Sequence, residues 1–168
     1  VESGQTINGL TFTLSGITDG ANEVVVIDGR SITLGANSSG TTVTNGMTYS
    51  VTISGGTATI TLTGSISTSI ASSIVSGVTY QDTKTDNPTA GNRVFTLTQV
   101  KDSGGTANSG VDTSTPNVVS TINVVAVNNA PVFTGAVGGN TYTENGAAIS
   151  VVSAGATLTD VDLSLIHI

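Results

Sequence analysis

The groups able to do chemistry in this chain are few, and most are carboxylates. Asp160 and Asp162 stand two residues apart, a spacing that lets both face one way at a strand end. Two carboxylates held close repel each other, and a divalent cation turns that cost into attraction. Aspartates in loops also cap turns by accepting backbone N–H groups, so ligation and turn capping both stay open. Asp82, Asp86, Asp102 and Asp112 lie in two long polar stretches, 82–92 and 102–114. Long ordered loops in a small domain tend to be functional or ion-supported. For Asp82, Asp86 and Asp112 the simpler expectation is a solvated turn position.

Catalysis is poorly provided for. Lys101-Asp102-Ser103-Gly104-Gly105 differs by one residue from the G-D-S-G-G around the nucleophile of chymotrypsin-like proteases. A serine nucleophile needs a base beside it, and the sole histidine is His167. A glycoside-cleaving carboxylate pair would want aromatic platforms, whereas the chain has no Trp and three Tyr. The expectation is a protein without catalytic residues, not an enzyme. Arg30 and Arg93 are candidates to hold loop carboxylates such as Asp28 or Asp86, or else to lie on a solvated face. Phe12, Phe95, Tyr49 and Tyr80 read as core residues.

Charge and composition narrow the partners. Among 168 residues, 4 Lys and Arg stand against 11 Asp and Glu, a formal charge of −7. Four scattered cations cannot build the basic footprint that nucleic acid or an anionic membrane requires. No run reaches the roughly 18 apolar residues of a membrane-spanning helix, so no membrane insertion is expected. No signal-peptide pattern opens the chain. With no cysteine, disulfides and thiolate metal sites drop out.

The elements that must position these residues are strands. Leu10, Phe12 and Leu14 alternate with Thr11, Thr13 and Ser15, the period of a half-buried strand. Met47–Ile53 and Ala58–Leu62 alternate likewise around Gly55-Gly56, and a two-residue glycine loop supplies the positive φ of a tight hairpin. Further strands are expected at Glu23–Ile27, Ser31–Leu34, Val78–Gln81, Arg93–Lys101 and Asn117–Val127. Ile70 and Ile74, four apart, predict one short helix, with Ser67 or Thr68 as N-cap and Gly77 as C′ residue. The β-branched side chain of threonine (30 residues) suits the wet face of such sheets. The fold expected is all-β, an antiparallel Greek-key-like sandwich. Pro131 ends the longest strand candidate, since it cannot donate into a central ladder. The units expected are 1–129 and 130–162, the latter opening with strands at Thr141–Glu144, Ala148–Val152 and Ala156–Leu158. Val1 is not a start methionine, and the chain reads as an excerpt. Leu163-Ser164-Leu165-Ile166-His167-Ile168 matches the translated mosaic end of transposase-based sequencing libraries. Residues 163–168 are therefore expected to be adapter read-through.

Asn128-Asn129-Ala130-Pro131-Val132-Phe133, then Tyr142-Thr143-Glu144-Asn145-Gly146, then Leu158-Thr159-Asp160-Val161-Asp162 resemble the start of a cadherin-type repeat. Asn87-Pro88-Thr89-Ala90-Gly91-Asn92-Arg93 and Lys101-Asp102-Ser103-Gly104-Gly105-Thr106-Ala107-Asn108 resemble long cadherin-like repeats of giant bacterial surface and type I-secreted adhesins. The resemblance covers nearly all of 1–162. It implies an Ig-like sandwich repeated in tandem with a period of roughly 160 residues, the first unit lacking its opening strands. It also implies an extracellular or cell-surface protein whose partners are the neighbouring repeats and, beyond them, cell-surface or matrix ligands.

The same resemblance implies calcium at the junction between repeats. Asp160 and Asp162 match its D-x-D, Asn128 and Asn129 its linker, Asp102 the aspartate of its A-x-D-x-G segment, and Glu144 its first-strand glutamate. Val125-Ala126-Val127 stand where the family's linker carries aspartates, which lowers the expected affinity. The G-G-x-G-x-D calcium repeat is not matched by Gly104–Ser109. Two functions follow as expectations: a structural or adhesive spacer stiffened by calcium, or a glycan- or protein-binding module using loops 82–92 and 102–114.

Overall fold

The computed structural model describes residues 4–135, 139–152 and 155–162. The chain divides into two units, Val1–Ala126 and Val127–Ile168, so Asn128 and Asn129 fall with the second. The terminal hexapeptide 163–168 lies outside the described residues.

The first unit is an all-β sandwich. Its strands are β1 (Ile7–Ser15), β2 (Glu23–Ile27), β3 (Arg30–Thr33), β4 (Ser38–Thr41), β5 (Thr48–Ser54), β6 (Thr57–Ile66), β7 (Thr79–Asp82), β8 (Gly91–Asp102), β9 (Thr113–Ser114) and β10 (Val118–Val124). One sheet runs β10-β8-β1-β6-β5-β4, with β9 added on β8, and the other runs β3-β2-β7. Every pairing is antiparallel. The chain passes between sheets at 16–22, 34–37, 67–78 and 83–90. Two of them, 16–22 and 83–90, carry Asp19, Lys84 and Thr89.

β1 lies inside the larger sheet, and from Leu10 onward its alternate residues face the core. Leu10, Phe12 and Leu14 are at most 1% exposed, and β6 and β8 flank it on either side. Val25, Ile27 and Ile32 of the smaller sheet join the same buried cluster as Ala58, Ile60 and Leu62 of β6. Burying one such side chain is worth about 1.5–3 kcal/mol. Phe12 also stacks on Phe95 of β8, with ring centroids 5.3 Å apart.

The one α-helix among the described residues, α1 (Thr68–Ser76), starts where Ser67 accepts the Ile70 N–H at 3.2 Å. Ala71 and Ile74 turn its apolar face into the core. Gly77 ends it with φ −91°, donating to Ser73 and Ile74 carbonyls. The left-handed conformation expected of a C′ glycine is therefore not used. The hairpin glycines behave as read: Gly55 (φ 54°) and Gly56 (φ 71°) join Ser54 to Thr57, a two-residue loop with both φ positive.

In the second unit β11 (Val132–Thr134) pairs antiparallel with β12 (Thr157–Thr159). The strands expected at Thr141–Glu144 and Ala148–Val152 do not form: the described stretch 139–152 has no ladder partner. Alternation alone gives a strand nothing to bond to. Residues such as Tyr142 and Val151 (91% exposed) keep their apolar surface in water, and a lone hairpin is marginal without a covered face.

Two glycines give contrasting expectations. Gly16 (φ +83°) is so close to the Asn92 backbone that an added Cβ would sit 2.3 Å from its carbonyl oxygen. Gly16→Ala is expected to lower unfolding free energy by about 2 kcal/mol or more in a denaturant titration. Gly55→Asn keeps a favoured hairpin pair and has open space, so its midpoint should stay within about 0.5 kcal/mol of wild type.

Candidate functional site

The sequence-expected ligands separate into three places. In the second unit, the Asn129 N–H donates to Asp162 Oδ2 across 33 residues. The Asp162 N–H in turn donates to Asp160 Oδ1 at 3.0 Å. Both aspartates are half-buried, and Asp162 Oδ1 is buried without a hydrogen-bond partner among the described residues. Asn128 donates its side-chain amide to the Asn129 carbonyl at 2.9 Å. The linker and the D-x-D are thus brought together. Glu144 lies in an exposed turn closed by Gly146 N–H on Thr143 O at 2.9 Å, with neither aspartate among its partners.

Asp102 belongs to the first unit. It ends β8 and caps its own loop, accepting the Gly104 N–H at 2.7 Å. Asp112 in the same loop accepts from Thr113 Oγ1 at 2.9 Å and faces Lys101 Nζ at 3.5 Å. The Thr113 bond, aided by Lys101, holds its carboxyl below the usual range. These are turn-capping and surface-pair geometries.

The densest arrangement is one that sequence reasoning missed. Glu23 opens β2 with no exposed surface, and Arg93 on β8 is 1% exposed. Arg93 Nε donates to Glu23 Oε2 and Nη2 to Oε1, both at 3.1 Å, a two-pronged pair joining the two sheets. Glu23 Oε1 also accepts the Thr18 and Asp19 N–H groups at 2.8 Å, and Oε2 the Tyr80 hydroxyl at 3.0 Å. Arg93 also donates from Nη2 to Thr18 Oγ1 at 2.7 Å and to the Thr89 carbonyl at 3.1 Å, and from Nη1 to the Gly91 carbonyl at 3.5 Å. It had been expected near Asp28, near Asp86 or in solvent. Asp28 instead holds Thr42 and Asn45, while Arg30 stacks over the Tyr49 ring at 5.8 Å.

Asp19 extends the network to the 83–90 crossing. Its carboxylate, 4% exposed, takes Lys84 Nζ at 2.8 Å, Thr89 Oγ1 at 2.8 Å and Thr89 N–H at 2.6 Å. Thr83 N–H and hydroxyl both donate to the Asn22 carbonyl at 2.8 Å. Both ends of the crossing are pinned to the turn before β2. Asp82, expected in a solvated turn, joins them: Oδ1 accepts the Lys84 N–H at 2.9 Å, and Oδ2 is buried with no hydrogen-bond partner among the described residues.

Asp19, Glu23 and Asp82 could hold a metal ion, since one oxygen from each lies within 4.8 Å of the others. Arg93 and Lys84 already supply two positive charges there, and the oxygens of Glu23 and Asp19 are occupied by donors. The electrostatics follow. Burial raises the Asp19 carboxyl, but Lys84 and Thr89 outweigh it and hold it at about 2. Glu23 is likewise raised by burial and brought below its usual value by Arg93 and the two backbone N–H groups. Burial raises the Tyr80 hydroxyl, and its bond to the Glu23 carboxylate adds to this. Asp82 is pushed up, by burial first and then by its acidic neighbours Asp19 and Glu23.

Signs follow for stability. Asp19 and Glu23 are depressed, so their contribution is present above their unfolded values near pH 4 and is lost as pH falls through their lowered folded values, about 2 for Asp19. Asp82 runs the other way, costing stability once pH rises through its elevated folded value. Glu23→Gln leaves a buried guanidinium half-paired and should cost about 3–5 kcal/mol at neutral pH. Asp82→Asn removes the surplus charge and should leave the melting temperature equal or higher. Thermal melts of both variants from pH 3 to 8 check the pair.

No family model, curated protein or solved structure matches this chain, so its functional reading rests on the residues and geometry above.

Proposed function

We propose that the chain is a structural segment of a tandem-repeat, exported bacterial surface protein of the cadherin-like adhesin kind, its repeat junction stiffened by calcium. The observation that carries this reading is the bond from the Asn129 N–H to Asp162, which folds the D-x-D onto the proline-marked linker. Asp162 Oδ1, buried with no hydrogen-bond partner among the described residues, and the neighbouring Asp160 carboxyl are hard oxygen donors of the type calcium takes in sets of six to eight. Asn128 and Asn129 add amide and carbonyl oxygens, and water completes the sphere.

The first unit supports a spacer in a different way. Its 83–90 crossing is held to the turn before β2 by the Lys84–Asp19 ion pair rather than by cysteines. Asp102 and Glu144 are not part of the proposed set, because Asp102 caps its own loop and Glu144 stands in an exposed turn.

With a linker poor in carboxylates, affinity should match weak extracellular modules, with Kd on the order of 10⁻⁴–10⁻³ M. Isothermal calorimetry of the chain against calcium should show this uptake, and Asp160→Asn/Asp162→Asn should abolish it. Equal uptake by both proteins would leave these aspartates as turn caps. Uptake lost only in Asp82→Asn would move the ion to the cluster beside Arg93.

A further inference from the structure

The chain contains three Asn-Gly steps, at Asn8-Gly9, Asn45-Gly46 and Asn145-Gly146. Asn-Gly is the step most open to intramolecular attack, because glycine puts no Cβ in the way of the backbone nitrogen and leaves its dihedrals free. The fold treats the three differently. Gly9 lies inside β1, paired with Thr63 on one side and Lys101 on the other. Its nitrogen cannot swing toward a side chain without opening a central strand.

Asn45 is in a turn, but its amide is clamped. Nδ2 donates to Asp28 Oδ1 at 2.6 Å, and the Asn45 N–H donates to Asp28 Oδ2 at 3.1 Å. The Val43 and Thr44 N–H groups bond the Asp28 carbonyl at 3.1 Å, fixing the same turn from its other end. Hydrogen bonds to a carboxylate are among the stronger ones. Turning the Asn45 carboxamide toward Gly46 means giving them up.

Asn145 has neither restraint. It sits exposed at φ 62° in the Thr143–Gly146 turn, and its side chain bonds no described residue. The turn is closed by one exposed bond, Gly146 N–H to Thr143 O at 2.9 Å, which opens at little cost in a unit with no buried apolar side chain among its described residues.

We propose that Asn145-Gly146 is a self-modification site, converted by deamidation to an aspartyl or isoaspartyl residue while Asn8 and Asn45 are spared. The Gly146 nitrogen loses its proton to solvent base and attacks Asn145 Cγ. The new N–Cγ bond closes a five-membered imide, the Cγ–Nδ2 bond breaks, and the amide nitrogen leaves as ammonia with a proton from water. One water then opens the ring. Attack at the side-chain carbonyl gives aspartyl, and attack at the backbone carbonyl gives isoaspartyl. No oxidant, metal or enzyme is required. Each event adds one negative charge beside Glu144, and the isoaspartyl product lengthens the backbone of that turn by one carbon.

The test is incubation of the whole chain at mildly alkaline pH, sampled over weeks, with peptide mapping that separates isoaspartyl, aspartyl and asparaginyl forms. The expected result is conversion at position 145 about tenfold or more faster than at 8 or 45, the factor that one charge-assisted bond supplies. Asn145→Gln, whose longer side chain closes this ring poorly, should remove the product. In denaturant the three sites should converge, which separates folded restraint from local sequence. Conversion at 45 within tenfold of that at 145 would overturn the proposal. So would an intact Asn145 over the time in which it converts in denaturant.

Discussion

The Arg93–Glu23 pair is the constraint on which the rest of the first unit depends. The two residues are 70 positions apart and on different sheets, and both are sealed from water. Desolvating two such charges costs several kcal/mol each, which their attraction offsets only if every remaining donor and acceptor is satisfied. That requirement organises the surroundings. Glu23 takes two backbone N–H groups from the approach to β2 and the Tyr80 hydroxyl from β7. Arg93 donates to the Thr89 carbonyl of the crossing that precedes β8. One pair thereby fixes the entry to β2, the exit from β7 and the start of β8. An apolar pair of equal volume would fill the space without dictating any of those paths.

Charge balance sets what the cluster does. Two cations match two of its three carboxylates, and Asp82 is the surplus, with one oxygen buried and unpartnered. Its raised carboxyl is the consequence. A fold that needed these acids only for an ion would not fill them with guanidinium and ammonium. The aspartates of the second unit show the opposite arrangement, with described carboxylate oxygens facing backbone N–H groups and no basic side chain among their bonds. That contrast favours Asp160 and Asp162 over the Arg93 cluster as donors to a cation.

Much of the fold was legible because it depends on local periodicity. The alternation around Phe12, the Gly55-Gly56 hairpin and the Ser67 cap each follow from short-range rules, and each is seen. β4 was not legible: Ser38-Ser39-Gly40-Thr41 has no apolar alternation, and it forms because β5 offers it a ladder and Gly40 lets the Tyr49 ring lie close. The ion pair was hidden because its partners are distant, yet a signal existed. Glu23 is in phase with the buried Val25 and Ile27, and Arg93 with Leu97. One acid and one base, each on the core-facing phase of its strand, are candidates for each other. The second unit was over-read because alternation marks which residues suit a strand, not whether a partner strand is present. Its Asn129 to Asp162 bond joins the linker and the D-x-D, which the resemblance implies share one calcium site.

A double-mutant cycle with Glu23→Gln and Arg93→Met, read by denaturant unfolding at neutral pH, tests the central claim most directly. If the pair is what aligns the two sheets and the 83–90 crossing, the double variant should be less destabilised than the sum of the single ones. The expected coupling is at the upper end of about 0.5–3 kcal/mol, because the second substitution removes the charge that the first leaves stranded. Additive losses, with coupling below about 0.5 kcal/mol, would mean that Glu23 and Arg93 stabilise the fold independently and that the network is a by-product of packing.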